Sequence, residues 1–242
     1  MSRTAPTLTP FDANSPSLTE RTIEAVREGI RTGALVPGEL YSVYQLAAEL
    51  GVSRSPVRDA LLRLAETGMV RFERNRGFRV LVPGARELAE LLAVRLALEV
   101  PAARRAARSA GPVDHSKLRV EYQAMEEAAA AGDEPLFLKH DQRLHSLILE
   151  LAGNSYVLRV IDNLRDATRL VGASTIEHSR TLRDVQREHL PIIEALEGND
   201  PGWAAFAMEH HLTETGRLLL REAVIRDGAS VDANRLWDDL VG

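Results

Sequence analysis

Four side chains in the second half of the chain have the types and spacing of a metal site. Asp141 and His145 are four residues apart, so on a helix they share one face, with Cβ atoms roughly 6 Å apart. His189 and His211 fall on two later predicted helices, and a bundle can direct all four side chains inward. One carboxylate and three imidazoles suit a divalent transition metal with positions open for water or a carboxylate ligand.

The metal itself stays open at this point. Imidazole binds zinc, nickel, copper and iron, and zinc and nickel are the first candidates. The alternative interpretation is that these histidines are unrelated surface residues. The chain contains seven histidines, at His115, His140, His145, His178, His189, His210 and His211. His210 competes with its neighbour His211 for a place in the predicted site.

A second group of residues has the chemistry of a DNA-reading helix. The segment Ser53-Arg54-Ser55-Pro56-Val57-Arg58 begins a predicted helix. Its hydroxyls and free backbone N–H groups suit phosphate oxygens. Arg54 and Arg58 are four residues apart and share a face, from which an arginine can pair with guanine O6 and N7 in the major groove.

Basic residues also cluster at a predicted hairpin turn a little further along the chain. Arg74 and Arg76 precede Gly77 at this turn, where they could reach a phosphate or a minor groove. The alternative is a winged helix that makes protein contacts, with the arginines on a solvated face. We favour DNA because four arginines occur on the two elements that would face a duplex.

Helical periodicity and turn residues place these side chains on a winged helix-turn-helix. One helix is predicted from Thr19, as N-cap, to about Arg31, a second over 42–50, and a third from about Ser53 to Gly68. The runs 69–73 and 78–82 are β-prone and flank a polar turn, which predicts a hairpin. Pro83 and Gly84 then mark a domain boundary.

The remainder of the chain is predicted to be helical throughout, which makes the protein mainly α. Breaks at glycine, proline and asparagine separate helices predicted near 86–109, 114–131, 133–152, 155–172, 175–198, 200–227 and 232–240. We therefore divide the chain into a disordered lead-in (1–17), a winged helix-turn-helix DNA-binding domain (18–83), and an all-helical domain (84–242). The last is expected to bind effector and metal and to form the dimer.

Composition restricts the classes of protein that fit. The 242 residues include no cysteine, which excludes disulfides and thiolate metal sites and fits a cytoplasmic protein. No apolar run approaches the roughly 20 residues of a membrane helix, and the proline-containing N-terminus does not resemble a signal peptide. The net charge is −5, yet residues 51–80 hold seven basic against three acidic residues, as expected of a DNA-binding segment.

The first eighty residues resemble the GntR family of bacterial regulators. The resemblance is carried by LAAELGVSRSPVRDAL (46–61), by GALVPGE (33–39) before it and by NRGFRV (75–80) after it. It implies that Arg54 and Arg58 read the operator and that Ser53 and Ser55 contact phosphates. Arg76 and Gly77 would form the wing tip. Many members have threonine in place of Ser55, which keeps the hydroxyl.

The helical remainder resembles the FadR subgroup, whose effector domain is called FCD. Its motifs are RLALE (95–99), DQRLH (141–145), AGN (152–154), EH (188–189), IIEAL (192–196) and MEHHL (208–212). The resemblance implies the metal-binding subtype with the four ligands above. His211 is preferred to His210 because Leu212 follows it, as in the family pattern. Arg95 could bind an effector carboxylate, or could instead pair with Glu99 on the surface.

Together these observations predict a homodimeric transcription regulator. Its two reading heads would bind an inverted repeat of the TnGTnnnACnA kind, and a small organic acid at the metal would release the DNA. One alternative is a regulator for which the metal ion itself is the signal. Another is a metallo-hydrolase fused to a DNA-binding head, for which Glu188 is the nearest candidate base.

Overall fold

The computed structural model describes residues 16–66, 68–178, 180–229 and 231–241. The predicted disordered segment 1–17 lies outside these residues except for its last two positions. Ser17 caps the first helix by accepting a hydrogen bond from the Glu20 backbone N–H, while the Glu20 carboxylate accepts one from the Ser17 N–H. The prediction of Thr19 as N-cap was therefore wrong by two residues, because Glu20 completes a capping box with Ser17.

The N-terminal unit is a winged helix-turn-helix. Its elements are α1 (Leu18–Arg31), β1 (Leu40–Tyr41), α2 (Val43–Glu49), α3 (Arg54–Glu66), β2 (Val70–Glu73) and β3 (Gly77–Val80). Among the described residues, the strands form one antiparallel sheet in the order β1-β3-β2. The two-residue strand β1 was not predicted, since a strand this short has no periodicity to detect.

Apolar residues at helical spacing on α3 hold this unit together. Val57, Leu61 and Leu64 are buried and pack with Val26 of α1 and Phe78 of β3. Because the apolar face of α3 points into this core, its polar face is left exposed at the surface.

Gly77 begins β3 in a backbone conformation that only glycine adopts easily. Its φ is +131°, and a Cβ added there would lie 1.9 Å from the carbonyl oxygen of Tyr41 on β1. No side chain fits that distance. The glycine therefore lets β1 and the hairpin approach each other.

The C-terminal unit is all-helical among its described residues. Its helices are α4 (Ala85–Ser109), α5 (Pro112–Ala131), α6 (Glu134–Leu151), α7 (Ser155–His178), α8 (Leu182–Glu188), α9 (Leu190–Glu197), α10 (Pro201–Arg226) and α11 (Ala233–Leu240). The long helices α4 and α10 pack against each other at its centre. Buried apolar residues such as Phe137, Leu144, Ile193 and Leu212 form the core around them.

Two helix boundaries differ from the prediction. The expected break between 172 and 175 is absent, because α7 runs to His178 and a single glycine costs a helix only about 1 kcal/mol. The predicted helix 175–198 is instead divided at His189 into α8 and α9. Pro191 in the first turn of α9 has no backbone N–H, so a continuous helix would lose a hydrogen bond there.

Candidate metal centre and nucleic-acid interface

Three of the predicted metal ligands meet inside the helical unit. His145 lies on α6, His189 at the junction of α8 and α9, and His211 on α10. Their relative exposures are 0%, 0% and 5%. One ring nitrogen from each lies within 4.8 Å of the other two, and among the described residues this is the group that could hold a metal ion. His210 is exposed and stacks on Phe206 instead.

Asp141, one turn before His145 on α6, reaches the same space from its edge. Its Oδ1 lies 3.1 Å from Nε2 of His189, and Nε2 of His189 lies 3.2 Å from Nε2 of His145. Two ligands on one ion at bond lengths near 2.1 Å would be about 3.0 to 3.4 Å apart. The observed separations therefore match those of atoms that share an ion.

Hydrogen bonds to the other ring nitrogens determine which nitrogen faces the centre unprotonated. Nδ1 of His189 donates to the carbonyl oxygen of Val185 at 2.8 Å. Nδ1 of His145 donates to the Glu99 carboxylate at 2.9 Å, and Nδ1 of His211 donates to the Glu188 carboxylate at 3.3 Å. In each neutral imidazole the proton is then on Nδ1, so Nε2 has a lone pair.

The donor set therefore fits a cation. Nε2 of His145 and Nε2 of His189 approach each other to 3.2 Å, the separation of two ligand atoms on one ion. The Asp141 carboxylate adds a third acceptor beside them. Buried acceptors that face one another repel unless a positive charge lies among them. These residues would hold a divalent transition metal through nitrogen and oxygen.

Burial also keeps these groups in the protonation state that a metal requires. Removal from water, reinforced by the Arg165 cation, lowers the pKa of His145 to about 3. Burial next to His189 lowers the pKa of His211 to about 4. Burial alone would raise the pKa of Asp141, but the Arg165 guanidinium together with the neighbouring His189 and His145 outweighs burial and holds that pKa well below its usual value. Near neutral pH, His145, His211 and Asp141 are thus deprotonated and able to bind a cation.

A buried ionic network surrounds the histidines, and sequence reasoning largely missed it. Nε of Arg95 donates to Glu99 at 2.8 Å, and Arg165 approaches both Glu99, at 3.6 Å, and Asp141, at 2.5 Å. The alternative prediction, that Arg95 pairs with Glu99, gave the right partner. Its location at the surface was wrong, because both side chains are buried. Their spacing of four residues was the available signal. No spacing signal pointed to Arg165, because it is 24 residues from Asp141 along the chain.

Arg95 and Glu188, which also have predicted roles, lie beside the histidine cluster. Arg95 also donates through Nη1 to the hydroxyl of Thr168 at 3.3 Å, so it lies beside the histidine cluster with two of its donors occupied. Its contact with an effector carboxylate stays a prediction. Glu188, the candidate base of a hydrolase, accepts hydrogen bonds from Arg180 and His211, and so supports a histidine.

The predicted DNA-binding residues line an open groove of about 620 Å³ on the N-terminal unit. It lies between the start of α2, the start of α3 and the hairpin turn. Six of the seven predicted residues line it, namely Arg54, Ser55, Arg58, Arg74, Arg76 and Gly77. The seventh, Ser53, is exposed just before α3.

The four arginines of this groove are exposed and free to meet a ligand from the same side. The guanidinium carbon of Arg58 lies 5.9 Å from the centre of the Phe72 ring, so a cation–π contact orients it. Arg54 precedes it by one turn of α3, and Arg74 and Arg76 flank Asn75, whose φ of +58° makes the turn. A cationic groove beside a helix N-terminus is suited to a nucleic-acid backbone.

The winged helix-turn-helix and the helical unit with its histidine cluster together define a two-domain transcription regulator. Residues 18–80 match the model of bacterial regulatory proteins of the GntR family, and residues 90–214 match the FCD domain. This chain belongs to the GntR family and carries an FCD effector-binding domain.

Similar proteins agree with this classification. The chain is 33% identical over 209 residues to a probable D-xylose utilization operon transcriptional repressor of Paenarthrobacter nicotinovorans, which covers 84% of this chain and 91% of the relative. It is 32% identical over 177 residues to the Nta operon transcriptional regulator of Aminobacter aminovorans, covering 72% and 81%. The HTH-type transcriptional repressor RspR of Escherichia coli is 28% identical over 182 residues, covering 74% and 79%.

Solved structures share this fold. E. coli McbR/YncC superposes with a TM-score of 0.78 at 23% identity, covering 86% of this chain and 99% of that one. A GntR transcriptional regulator from Rhodococcus sp. RHA1 superposes with a TM-score of 0.69 at 24% identity, covering 84% and 97%. The family and its members are transcriptional regulators and not enzymes. Among the described residues, no helix has the length and apolarity needed to span a membrane.

Proposed function

We propose that this protein is a homodimeric repressor that binds a palindromic operator and is released by a small organic acid bound at a metal site in the FCD domain. The metal ligands in this proposal are Asp141, His145, His189 and His211. A regulator of chromosomal genes would work in the cytoplasm.

The observation that carries the proposal is the arrangement of the imidazoles. The Nδ1 protons of His145, His189 and His211 are all directed outward, to Glu99, Val185 and Glu188. A buried cluster of this kind has little structural purpose without a cation, since apolar side chains would fill the same space at lower cost. A bound divalent metal would supply open coordination positions for a carboxylate ligand.

On the DNA side, we assign a role to each of the seven predicted DNA-binding residues. Arg54 and Arg58 would meet base edges in the major groove from the first turn and a half of α3. Ser53 and Ser55 would contact phosphates beside the helix N-terminus. The wing residues Arg74 and Arg76, with Gly77 allowing the turn, would reach phosphate or minor groove from the other side of the groove. A dimer with two such heads matches a palindromic operator.

A small carboxylate would enter the FCD domain and meet the metal. Arg95, beside the cluster, would contact the same carboxylate through donors other than those bound to Glu99 and Thr168. Binding that favours one arrangement of the helices over another would then change the affinity for the operator.

A second candidate function is a regulator that responds to the metal ion itself. It is favoured by the number of protein ligands, because Asp141, with Oδ1 3.1 Å from Nε2 of His189, would join the three clustered histidines in a four-coordinate site without an added acid. In that case the ion would be the signal and not a permanent cofactor.

A gel-shift titration distinguishes the regulator released by an organic acid from the regulator that responds to the metal ion. The DNA is a fragment selected from a random library by the full-length protein, and the protein is stripped with chelator and then reloaded with Ni²⁺ or Zn²⁺. The proposal expects the metal-loaded protein to keep its DNA and a panel of small carboxylic acids to include one that releases it. Release by metal alone, with no acid having an effect, would establish the second candidate. Release by an acid in the absence of any metal would refute the metal site.

A further inference from the structure

We infer that α7 couples the histidine cluster to the DNA-reading head through two adjacent residues, Arg165 and Asp166. Arg165 holds the ligand Asp141, and Asp166 holds Arg27 of α1 in the winged helix-turn-helix. This inference deepens the proposed function and rests on it, because the event to be transmitted is binding at the metal site.

On its inner side, α7 is tied to the metal site by a buried guanidinium. Nη2 of Arg165 lies 2.5 Å from Oδ2 of Asp141, and Nη1 lies 3.6 Å from Oε2 of Glu99, which orients His145. A cation among the histidines would share the Asp141 carboxylate with Arg165 and weaken the hold of Arg165 on it. The strength of the ion pair that ties α7 to Asp141 therefore depends on whether the metal site is occupied.

On its outer side, α7 is tied to the reading head. Nε of Arg27 lies 2.9 Å from Oδ2 of Asp166, whose side chain is only 2% exposed. Arg27 also donates through Nη2 to the side-chain oxygen of Asn163, one turn earlier on α7. The next residue, Ala167, packs into the apolar core of the winged helix-turn-helix. The head is thus attached to α7 by an ion pair with a buried carboxylate, together with apolar contact.

Adjacent residues on a helix point about 100° apart, so one turn of α7 can face both domains at once. Because the Asp166 and Arg165 side chains are buried and Arg27 is only 18% exposed, neither ion pair is broken cheaply by exchange with water, and a shift of α7 must move Arg27 or lose its pairing. A cleft of about 900 Å³ separates α1 from α6 beside this attachment. That space allows the head to change its angle.

The test uses the full-length protein and Ni²⁺ alone as the probe. Isothermal titration calorimetry measures Ni²⁺ affinity, and hydrogen–deuterium exchange measures the protection of peptides from α1 (residues 18–31) with and without the ion. In the wild type we expect Ni²⁺ to change the exchange rate of α1 by at least about fivefold, the lower end of typical allosteric coupling. In Asp166→Asn we expect Ni²⁺ affinity within about threefold of wild type and the α1 response largely lost.

Two further variants separate coupling from folding. Arg27→Lys keeps a cation opposite Asp166 and should retain part of the α1 response. Arg21→Gln removes an exposed charge from the same helix and should keep all of it. The inference is overturned if the wild type binds Ni²⁺ without any change in α1, or if Asp166→Asn responds as the wild type does. If the wild type binds no Ni²⁺, the proposed metal site fails instead, and calorimetry reports that outcome separately.

Discussion

Acidification should destabilise the metal-free protein through its buried histidines. The native pKa of His145 is about 3 and that of His211 about 4, against about 6.5 in an unfolded chain. As the pH falls below 6.5 the unfolded chain takes up protons at these two positions while the native state does not. Stability is therefore lost as the pH falls from the unfolded pKa towards the native ones.

The size of the effect follows from the same values. Between pH 7 and pH 5, an unfolded histidine goes from about one-quarter to nearly fully protonated, which costs the native state about 2 kcal/mol for each of the two groups. The two histidines together should therefore lower the free energy of unfolding by about 4 kcal/mol between pH 7 and pH 5. The lowered pKa of Asp141 acts in the same direction, but its stability contribution is lost only below about pH 4.

Urea unfolding of chelator-treated protein at a series of pH values measures this slope. His211→Gln should reduce the loss between pH 7 and pH 5 by about half, or about 2 kcal/mol. His210→Gln is the matched control, because His210 is exposed and its replacement should leave the slope unchanged. If His211→Gln and the wild type lose stability in parallel, the histidine is not held neutral by burial and the reasoning fails.

Three further substitutions test single contacts. Arg58→Ala should weaken specific operator binding by about 1–3 kcal/mol in an anisotropy titration; an equal loss on random DNA would make it a phosphate contact. Gly77→Ala should lower the thermal stability of the reading head and abolish specific DNA binding, because its Cβ would meet the carbonyl of Tyr41, whereas Gly51→Ala, with nothing within 4 Å, should cost only about 1 kcal/mol. Glu99→Gln should reduce metal affinity about 10–100-fold by calorimetry, and unchanged affinity would deny it a role in orienting its histidine.

Local signals in the sequence predicted the winged helix-turn-helix well. Gly51 and Gly68 end helices as their positions indicated, and the apolar spacing of Val57, Leu61 and Leu64 predicted the buried face of α3. The exposure of Arg58 follows from that face. These features depend on neighbours within a few residues, so a pattern can reveal them.

The histidine cluster was predicted only in part. The spacing of Asp141 and His145 placed them on one helix face, but the partners that orient the cluster are far away in sequence, as Arg165 and Glu99 show. Pro191 accounts for the break at His189, but the convergence of the His189 ring with His145 and His211 depends on tertiary packing. Side-chain pairs between distant helices leave no periodic signal, so only the folded chain reveals them.

The central claim is that His145, His189 and His211 bind one divalent transition metal ion within the FCD domain. The direct measurement is metal content by mass spectrometry, with calorimetric titration of stripped protein, on the wild type, His189→Ala and the exposed-residue control His210→Ala. The account predicts one ion per chain in the wild type and the control, and loss of the ion in His189→Ala with DNA binding retained. Equal metal content in His189→Ala and the wild type would contradict it.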